Sequence, residues 1–349
     1  MSPTTDLTCQ RRGALGHIEL QRPQALNAIS HAMVLAIDAA LDDWEHDPAI
    51  SAIAVSAVPG RAFSAGGDIR HLYDLGRAGN HDAQMAFWRD EYALNLRISR
   101  LSKPYVALVD GLVMGGGVGV ALHGSHVVAG DGWQFAMPEV GIGFFPDIGA
   151  SHFLPKLPGA SGMRLALTGA RVGADEAHAL GLATHRRASH EMAALLDGLA
   201  AGASIAQLLP KGDKSAHSTL SPGLDHAYQG TSLAGIIARL AALAPGDARA
   251  AGDLAAIGRH SPTSLAVALR QMQRGRGLDL EQALAMELCI VSHLCRDHDF
   301  YEGTRAMTID KDKAPRWVPD SIEAVDPARI EAWFAAPWQP GDSMARARS

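Results

Sequence analysis

A run of three glycines, at positions 115–117, most constrains how this 349-residue chain can fold. It follows an apolar segment, residues 105–109, that predicts a buried strand. It precedes a small-residue segment, residues 118–123, that predicts the start of a helix. Glycine has no Cβ, so the backbone here can approach a ligand closely. Because the first N–H groups of a helix lack an intrahelical partner, this turn suits a developing negative charge.

Two carboxylates follow the glycine run. Glu139 comes directly after Pro138, and Asp147 comes directly after Pro146. Backbone donors for an oxyanion, together with carboxylates that transfer protons, are what chemistry at a carbonyl group requires. A purely structural interpretation stays open beside this one, because a glycine triplet also forms tight turns, Pro-Glu also opens helices, and aspartate also caps them.

Other common motifs are missing from the sequence. The glycine run does not form the G-x-G-x-x-G pattern of dinucleotide-binding proteins, and no Walker motif occurs. The serines near the glycine turns, Ser64 and Ser125, lack the G-x-S-x-G elbow of serine hydrolases. His293 and His298 have a spacing that matches no standard zinc pattern, so we predict no metal site.

Composition narrows the class of protein. Hydrophobic residues make up 47% of the chain, which is normal for a globular protein, and the formal net charge of −6 argues against nucleic acid or an anionic membrane as a partner. The cysteines, Cys9, Cys289 and Cys295, are too few and scattered for a disulfide framework. No targeting peptide or membrane-spanning stretch is evident, so we expect a cytoplasmic protein.

The length favours a core domain with an appendage. Strand–strand–helix order recurs from residue 15 to about residue 190, and the helical signal sharpens after residue 261. We therefore predict a core at 1–210 and a mainly helical region at 211–349, with a linker at 210–214. One predicted helical face in the second region consists of Leu280, Ala283, Leu284, Glu287, Leu288, Val291 and Leu294.

Three segments carry a resemblance to a known family. The sequences FSAGGDI at 63–69, MGGGVG at 114–119 and FAMPEVGIGFFPDIG at 135–149 resemble the crotonase (enoyl-CoA hydratase/isomerase) superfamily. Within it they are most similar to the 3-hydroxyisobutyryl-CoA hydrolases. The resemblance implies an α/β fold, with a crotonase-type ββα spiral core and a helical C-terminal region. It also implies an acyl-CoA substrate and a possible homo-oligomer, since trimers are typical of the superfamily.

The resemblance also assigns roles to individual positions. The amides of Gly67 and Gly116 would form an oxyanion hole, and Gly116 would also contact the substrate. Glu139 and Asp147 would be the catalytic and substrate-binding carboxylates, and Glu91 a further substrate contact, although surface statistics alone would leave Glu91 exposed. The segment that would contact coenzyme A consists of Ala65, Gly66, Gly67, Asp68 and Ile69.

The carboxylates distinguish the branches of the superfamily. Hydratases place a second glutamate at the position of Gly119 and commonly have glycine at the position of Asp147. This chain lacks the second glutamate of hydratases and gains Asp147, a difference that favours hydrolysis of a short 3-hydroxyacyl-CoA thioester over hydration. The expected substrate is 3-hydroxyisobutyryl-CoA of valine degradation. Glu139 would activate water or attack the carbonyl directly, and no metal or redox cofactor is expected. The alternatives are an enoyl-CoA hydratase or isomerase and a non-catalytic acyl-CoA-binding protein.

Overall fold

A computed structural model of the chain describes residues 5–210 and 216–335, which divide into two units, each discontinuous in sequence. The first unit takes the described residues within Met1–Asp68, Asp90–Phe135 and Val172–His217. The second takes those within Ile69–Arg89, Ala136–Arg171 and Ser218–Ser349. Positions 211–214 of the predicted linker lie outside the described residues, and the division at residue 210 stays a prediction.

The strands form two sheets in the described part of the chain. A six-stranded sheet has the order β1-β2-β3-β5-β7-β10, in which β1 and β2 are antiparallel and the other neighbours are parallel. A four-stranded sheet has the order β4-β6-β8-β9. The strands are β1 Leu7–Arg12, β2 Leu15–Leu20, β3 Ala52–Ala57, β4 Ala62–Ser64, β5 Tyr105–Val109, β6 Leu112–Met114, β7 His126–Ala129, β8 Gln134–Ala136, β9 Val172–Gly173 and β10 His185–Arg186.

Successive strand pairs wind between the two sheets. The first strand of each pair (β3, β5 and β7) joins the six-stranded sheet, and the second (β4, β6 and β8) joins the four-stranded sheet. Every residue of β5 is buried, as expected for a central parallel strand covered on both faces. The predicted ββα spiral core is thereby confirmed, and each winding ends in a turn that leaves the four-stranded sheet.

Helices account for most of the remaining described chain, and those from α10 onward confirm the predicted helical C-terminal region. They are α1 His31–His46, α2 Ile69–Arg77, α3 His81–Arg100, α4 Gly116–Leu122, α5 Ala150–Phe153, α6 Ser161–Thr168, α7 Ala174–Leu180, α8 Met192–Ala200, α9 Ile205–Leu208, α10 Pro222–Tyr228, α11 Leu233–Leu243, α12 Ala248–Ile257, α13 Pro262–Gly275, α14 Leu280–Leu294, α15 His298–Thr304 and α16 Pro327–Trp333. None of the helices in residues 5–210 and 216–335 is long and apolar enough to cross a membrane.

The core of the second unit includes a buried ion pair. Arg164 on α6 donates from Nε and Nη2 to the two carboxylate oxygens of Asp253 on α12, at 2.7 and 2.9 Å. The hydroxyl of Tyr228 donates to the same carboxylate at 2.9 Å. Both charged side chains are more than nine-tenths buried, so water cannot hydrogen-bond to them fully. The bidentate pair supplies those hydrogen bonds instead.

Gly16 determines how α1 packs on β2 in the first unit. A Cβ at this position would overlap the indole ring of Trp44, which is buried on the inner face of α1. Trp44 therefore packs directly against the backbone of the strand. Glycine is required here because it leaves room for the ring, and backbone conformation plays no part in the requirement.

We expect Gly16→Ala to lower the free energy of unfolding by about 1–3 kcal/mol, because the added methyl group overpacks the contact with Trp44. Urea denaturation measures the change. Gly60→Ala is the matched control in the same unit, since Gly60 is exposed and its new Cβ would meet only Val58 O, at 3.7 Å. Equal denaturation midpoints for the two variants would contradict the packing argument.

Candidate active site

The first glycine turn, which contains Gly66 and Gly67, follows β4 and forms strand-like hydrogen bonds with Ile29. Ile29 N–H donates to Gly66 O at 2.8 Å, and Asp68 N–H donates to Ile29 O at 2.9 Å. Gly66 has φ +116°, a conformation that favours glycine. Gly67 lies between these bonds, and within the described residues its N–H donates to no other group. The turn therefore presents one unused backbone donor.

The second glycine turn connects β6 to α4 and lies beside the first. A Cβ on Gly117 would lie 2.5 Å from the Cβ of Ser64, and one on Gly116 would lie 3.2 Å from Gly67 N. The two turns thus approach each other at distances that side chains would prevent. Gly116 is the first residue of α4, so its N–H has no partner within that helix. Among the residues that the structure describes, neither the Gly67 nor the Gly116 N–H has another acceptor, so the turns bring two available amide donors close together.

Helix α3 contributes two buried polar side chains next to the glycine run. Glu91 is only 2% exposed, contrary to what surface statistics suggest, and a Cβ on Gly116 would overlap its Oε1 atom. Asn95, one turn later, is completely buried, and its Oδ1 lies 2.7 Å from the position of a Cβ on Gly119. A glutamate side chain therefore has no room at position 119 unless Asn95 moves.

The second unit holds two buried carboxylates that the sequence singled out. Glu139 begins a 3₁₀ turn, Glu139–Ile142, and is 6% exposed; Asp147 is 5% exposed. Between them, Phe144 N–H donates to Glu139 O at 3.0 Å. The ring of Phe144 stacks on Trp88 with the centroids 5.6 Å apart and packs against Phe300 at 5.8 Å. These aromatic contacts anchor the segment that carries both carboxylates.

The backbone after Asp147 has an uncommon conformation. Ile148 has φ +56° and Gly149 has φ +86°, and Gly149 is the N-cap residue of α5. The structural interpretation in which Asp147 caps a helix is therefore wrong. A β-branched residue in the left-handed region costs on the order of 1–3 kcal/mol and persists only where its surroundings enforce it.

A third buried carboxylate, Glu287 on α14, belongs to the same unit. Burial, the charge of Asp147 and, more weakly, the charge of Glu287 raise the pKa of Glu139 well above its usual range. Burial also raises the pKa of Glu287 to about 8, against the opposing effect of hydrogen bonds from Ser151 and Gly149. In the described part of the chain, Glu139 Oε2 has no hydrogen-bond partner. Glu139 therefore holds its proton to a higher pH than an exposed glutamate does, which suits a group that transfers protons.

Sequence reasoning assigned no functional role to two of these buried residues, Asn95 in the first unit and Glu287 in the second. Asn95 carries no signal in the sequence, since its importance follows from its contact with Gly119. Glu287 does carry one, because it is the charged residue in the apolar face predicted for α14. In residues 5–210 and 216–335, His, Cys, Asp and Glu side chains form no group of three or more that would hold a metal ion.

The segment at 296–319 contains an ion-pair cluster in the second unit. Arg305 lies 2.8 Å from Glu302, 2.7 Å from Asp310 and 2.6 Å from Asp312. Asp310 also follows a π-helical turn, Arg305–Ile309, as its C-cap residue. These side chains are partly exposed, and the cluster ties the end of α15 to the chain that follows it.

The spiral core and the paired amides of the glycine turns define a crotonase-type protein. The chain belongs to the enoyl-CoA hydratase/isomerase family, whose sequence profile matches residues 15–334. The resemblance seen in the sequence is therefore confirmed over almost the whole described chain.

Known relatives agree with this assignment. The mitochondrial 3-hydroxyisobutyryl-CoA hydrolase of Homo sapiens is 38% identical, over 93% of this chain and 88% of that protein. The protein of the same name from Xenopus laevis is also 38% identical, with the same coverage. Among solved structures, an enoyl-CoA hydratase from Rhodobacter sphaeroides is 38% identical, with a TM-score of 0.86 over 95% of this chain and 97% of that one. A carnitinyl-CoA dehydratase from Mycobacterium thermoresistibile is 35% identical, with a TM-score of 0.89 over 97% and 98%.

We expect Glu139→Gln to stabilise the protein increasingly as pH rises. The folded state holds the Glu139 proton to a higher pH than the unfolded chain, whose pKa is near 4.5. The stability from this group is therefore present below 4.5 and is lost as pH rises through the folded-state pKa. Glutamine carries no charge and avoids that loss. Urea midpoints of wild type and variant, compared at about pH 5 and about pH 9, measure the effect.

Glu323→Gln, which changes an exposed glutamate of the second unit, is the control and should follow the wild-type pH dependence. If wild type and Glu139→Gln gave parallel pH curves, Glu139 would not be a buried acid with a raised pKa.

Proposed function

We propose that this protein hydrolyses the thioester of a short 3-hydroxyacyl-CoA, with 3-hydroxyisobutyryl-CoA as the favoured substrate. Water adds to the thioester carbonyl, the carbon–sulfur bond breaks, and the products are 3-hydroxyisobutyrate and coenzyme A. This reaction belongs to valine degradation. The relatives named 3-hydroxyisobutyryl-CoA hydrolase support the substrate, since each covers more than nine-tenths of this chain.

In this proposal the amides of Gly67 and Gly116 bind the carbonyl oxygen of the substrate. That oxygen gains negative charge as the tetrahedral intermediate forms, and two fixed N–H donors stabilise it more than they stabilise the ground state. Their proximity supports this role, as does the absence of another acceptor for either N–H within residues 5–210 and 216–335. Residues 65–69 would contact coenzyme A through their backbone, and the buried carboxylate of Glu91 would contact the acyl group.

The carboxylates of the second unit would handle the water and its proton. Ionised Glu139 takes a proton from the attacking water, and the same carboxylate also suits a route through a mixed anhydride. Asp147 orients the water or the substrate hydroxyl. The sulfur of coenzyme A leaves with a proton, so the reaction requires no metal or redox cofactor.

The choice of hydrolysis over hydration depends on one observation: the second glutamate of hydratases is replaced here by Gly119, whereas Asp147 stands where hydratases commonly have glycine. Hydration of an enoyl group requires a proton at Cα and a hydroxide at Cβ, which hydratases manage with a second glutamate at the position of Gly119. Here Asn95 occupies the space that such a side chain needs. Asp147 supplies instead a buried carboxylate in the same unit as Glu139. The arrangement favours attack at the carbonyl carbon over attack at Cβ.

Cellular location and assembly stay predictions. The sequence leads us to propose a cytoplasmic protein, whereas the vertebrate relatives are named as mitochondrial proteins. The trimer typical of the superfamily is likewise proposed for this chain, and size-exclusion chromatography with light scattering would test it.

We expect the purified protein to release free thiol from 3-hydroxyisobutyryl-CoA and to leave the conjugated absorbance of crotonyl-CoA nearly unchanged. A thiol reagent reports hydrolysis, and the ultraviolet absorbance of the enoyl thioester reports hydration. Glu139→Gln should abolish most thiol release, because it removes the proton acceptor. Rapid loss of the enoyl absorbance, with no thiol from any 3-hydroxyacyl-CoA, would establish the hydratase alternative.

We expect Gly116→Pro to lower kcat by about 10²–10³-fold, because proline removes one of the two amide donors. Proline is tolerated in the first turn of a helix, so α4 should still form. Gly116→Ala is the matched control, since it adds the same Cβ beside Glu91 but keeps the N–H. Equal kcat values for the two variants, both folded by circular dichroism, would assign the rate loss to the Cβ and not to the donor.

A further inference from the structure

Glu287 is a completely buried carboxylate to which the proposed reaction assigns no role. It lies in the middle of α14, on a face that is otherwise apolar. A buried carboxylate is costly unless several donors satisfy it, so its presence in such a face requires an explanation.

The donors that satisfy Glu287 come from the segment that carries Asp147. Gly149 N–H donates to Oε2 at 2.7 Å, and Ser151 N–H donates to Oε1 at 2.8 Å. The side chain of Ser151 adds a further hydrogen bond. Each carboxylate oxygen therefore holds one backbone amide of the segment that immediately follows Asp147.

Gln271 on α13 holds the same segment at its other end. Its side-chain nitrogen donates to Pro146 O and, at 2.8 Å, to Ser151 Oγ. Gln271 is completely buried as well. Hydrogen bonds therefore fix the carbonyl of Pro146 on one side of Asp147 and the amides of Gly149 and Ser151 on the other.

This bracing acts on a segment with an uncommon backbone conformation. Ile148, next to Asp147, has φ +56°, and β-branched residues adopt this conformation only when the surroundings enforce it. If the hydrogen bonds that Gly149 and Ser151 donate to Glu287 were lost, we expect the backbone at Ile148 to rotate and the Asp147 side chain to change direction. On this argument Glu287 of α14 helps to fix the direction of Asp147.

We propose that Glu287 is a positioning residue for Asp147. It does not touch the substrate, but holds residues 146–151 in the conformation that keeps Asp147 at a fixed place relative to Glu139. The inference rests on the proposed function for its kinetic effect, whereas the bracing itself is a property of the fold.

We expect Glu287→Gln to lower kcat about 10²-fold, the cost of a misplacement of about 1 Å, while KM changes less than about threefold. An amide has only one acceptor oxygen, so its NH₂ group would face one of the two backbone donors. Glu287→Asp keeps both oxygens on a shorter side chain and should recover at least about tenfold of the lost rate. Thiol release from 3-hydroxyisobutyryl-CoA measures both variants.

A double-mutant cycle separates positioning from a general loss of structure. If Glu287 acts through Asp147, Glu287→Gln should change kcat less than about twofold in an Asp147→Asn background. Asp253→Asn, which alters a buried carboxylate of the same unit bound to Arg164 and Tyr228, is the control. It should lower the melting temperature and leave kcat near the wild-type value. A full 10²-fold loss in the Asp147→Asn background, or wild-type kcat in Glu287→Gln alone, would overturn the proposal.

Hydrogen exchange measured by mass spectrometry provides a readout that needs no turnover. Peptides that cover residues 146–151 should lose protection in Glu287→Gln and keep it in Asp253→Asn. If Glu287→Gln does not fold, Gln271→Met removes the other half of the brace and allows the same measurement and the same cycle. Absence of hydrolysis by the wild-type protein would refute the proposed function alone, whereas unchanged protection of the segment would refute the role of Glu287.

Discussion

The buried carboxylate of Glu139 is the strongest constraint on the second unit. Among the described residues, its Oε2 atom has no hydrogen-bond partner. Glu139 is removed from water and lies in the field of Asp147 and Glu287, so its ionised form is disfavoured by both effects. Only a well-packed surrounding can maintain such a group. The stacked ring of Phe144 and the hydrogen bond from its N–H to Glu139 provide part of that packing.

Around Asp147, as around Glu139, the structure retains groups that are unfavourable for stability by themselves. The left-handed Ile148 and the buried carboxyl group of Glu287 would each be unfavourable alone. They become compatible because the carboxylate accepts the amides that the unusual backbone directs toward it. Backbone strain of this kind concentrates at functional sites and persists only where the surrounding structure enforces it.

Much of the fold was predictable, because it depends on patterns local to the chain. The recurrence of strand–strand–helix order along the chain agreed with the ββα spiral, which the resemblance to the crotonase superfamily implied. Gly67, Gly116, Glu139 and Asp147 were recognised from motifs, and their catalytic roles stay predictions. The burial of Glu91 was not predictable from statistics, since only the approach of the glycine run to α3 removes it from water.

The sequence by itself determined where the backbone has no side chains, at the glycine turns, and where carboxylates follow prolines, at Glu139 and Asp147. Those properties belong to single positions and their immediate neighbours. Tertiary structure alone decided that Asn95 fills the space beside Gly119 and that Glu287 holds the segment after Asp147. These contacts join residues far apart in sequence, and local propensities carry no information about which distant side chain satisfies a buried polar group.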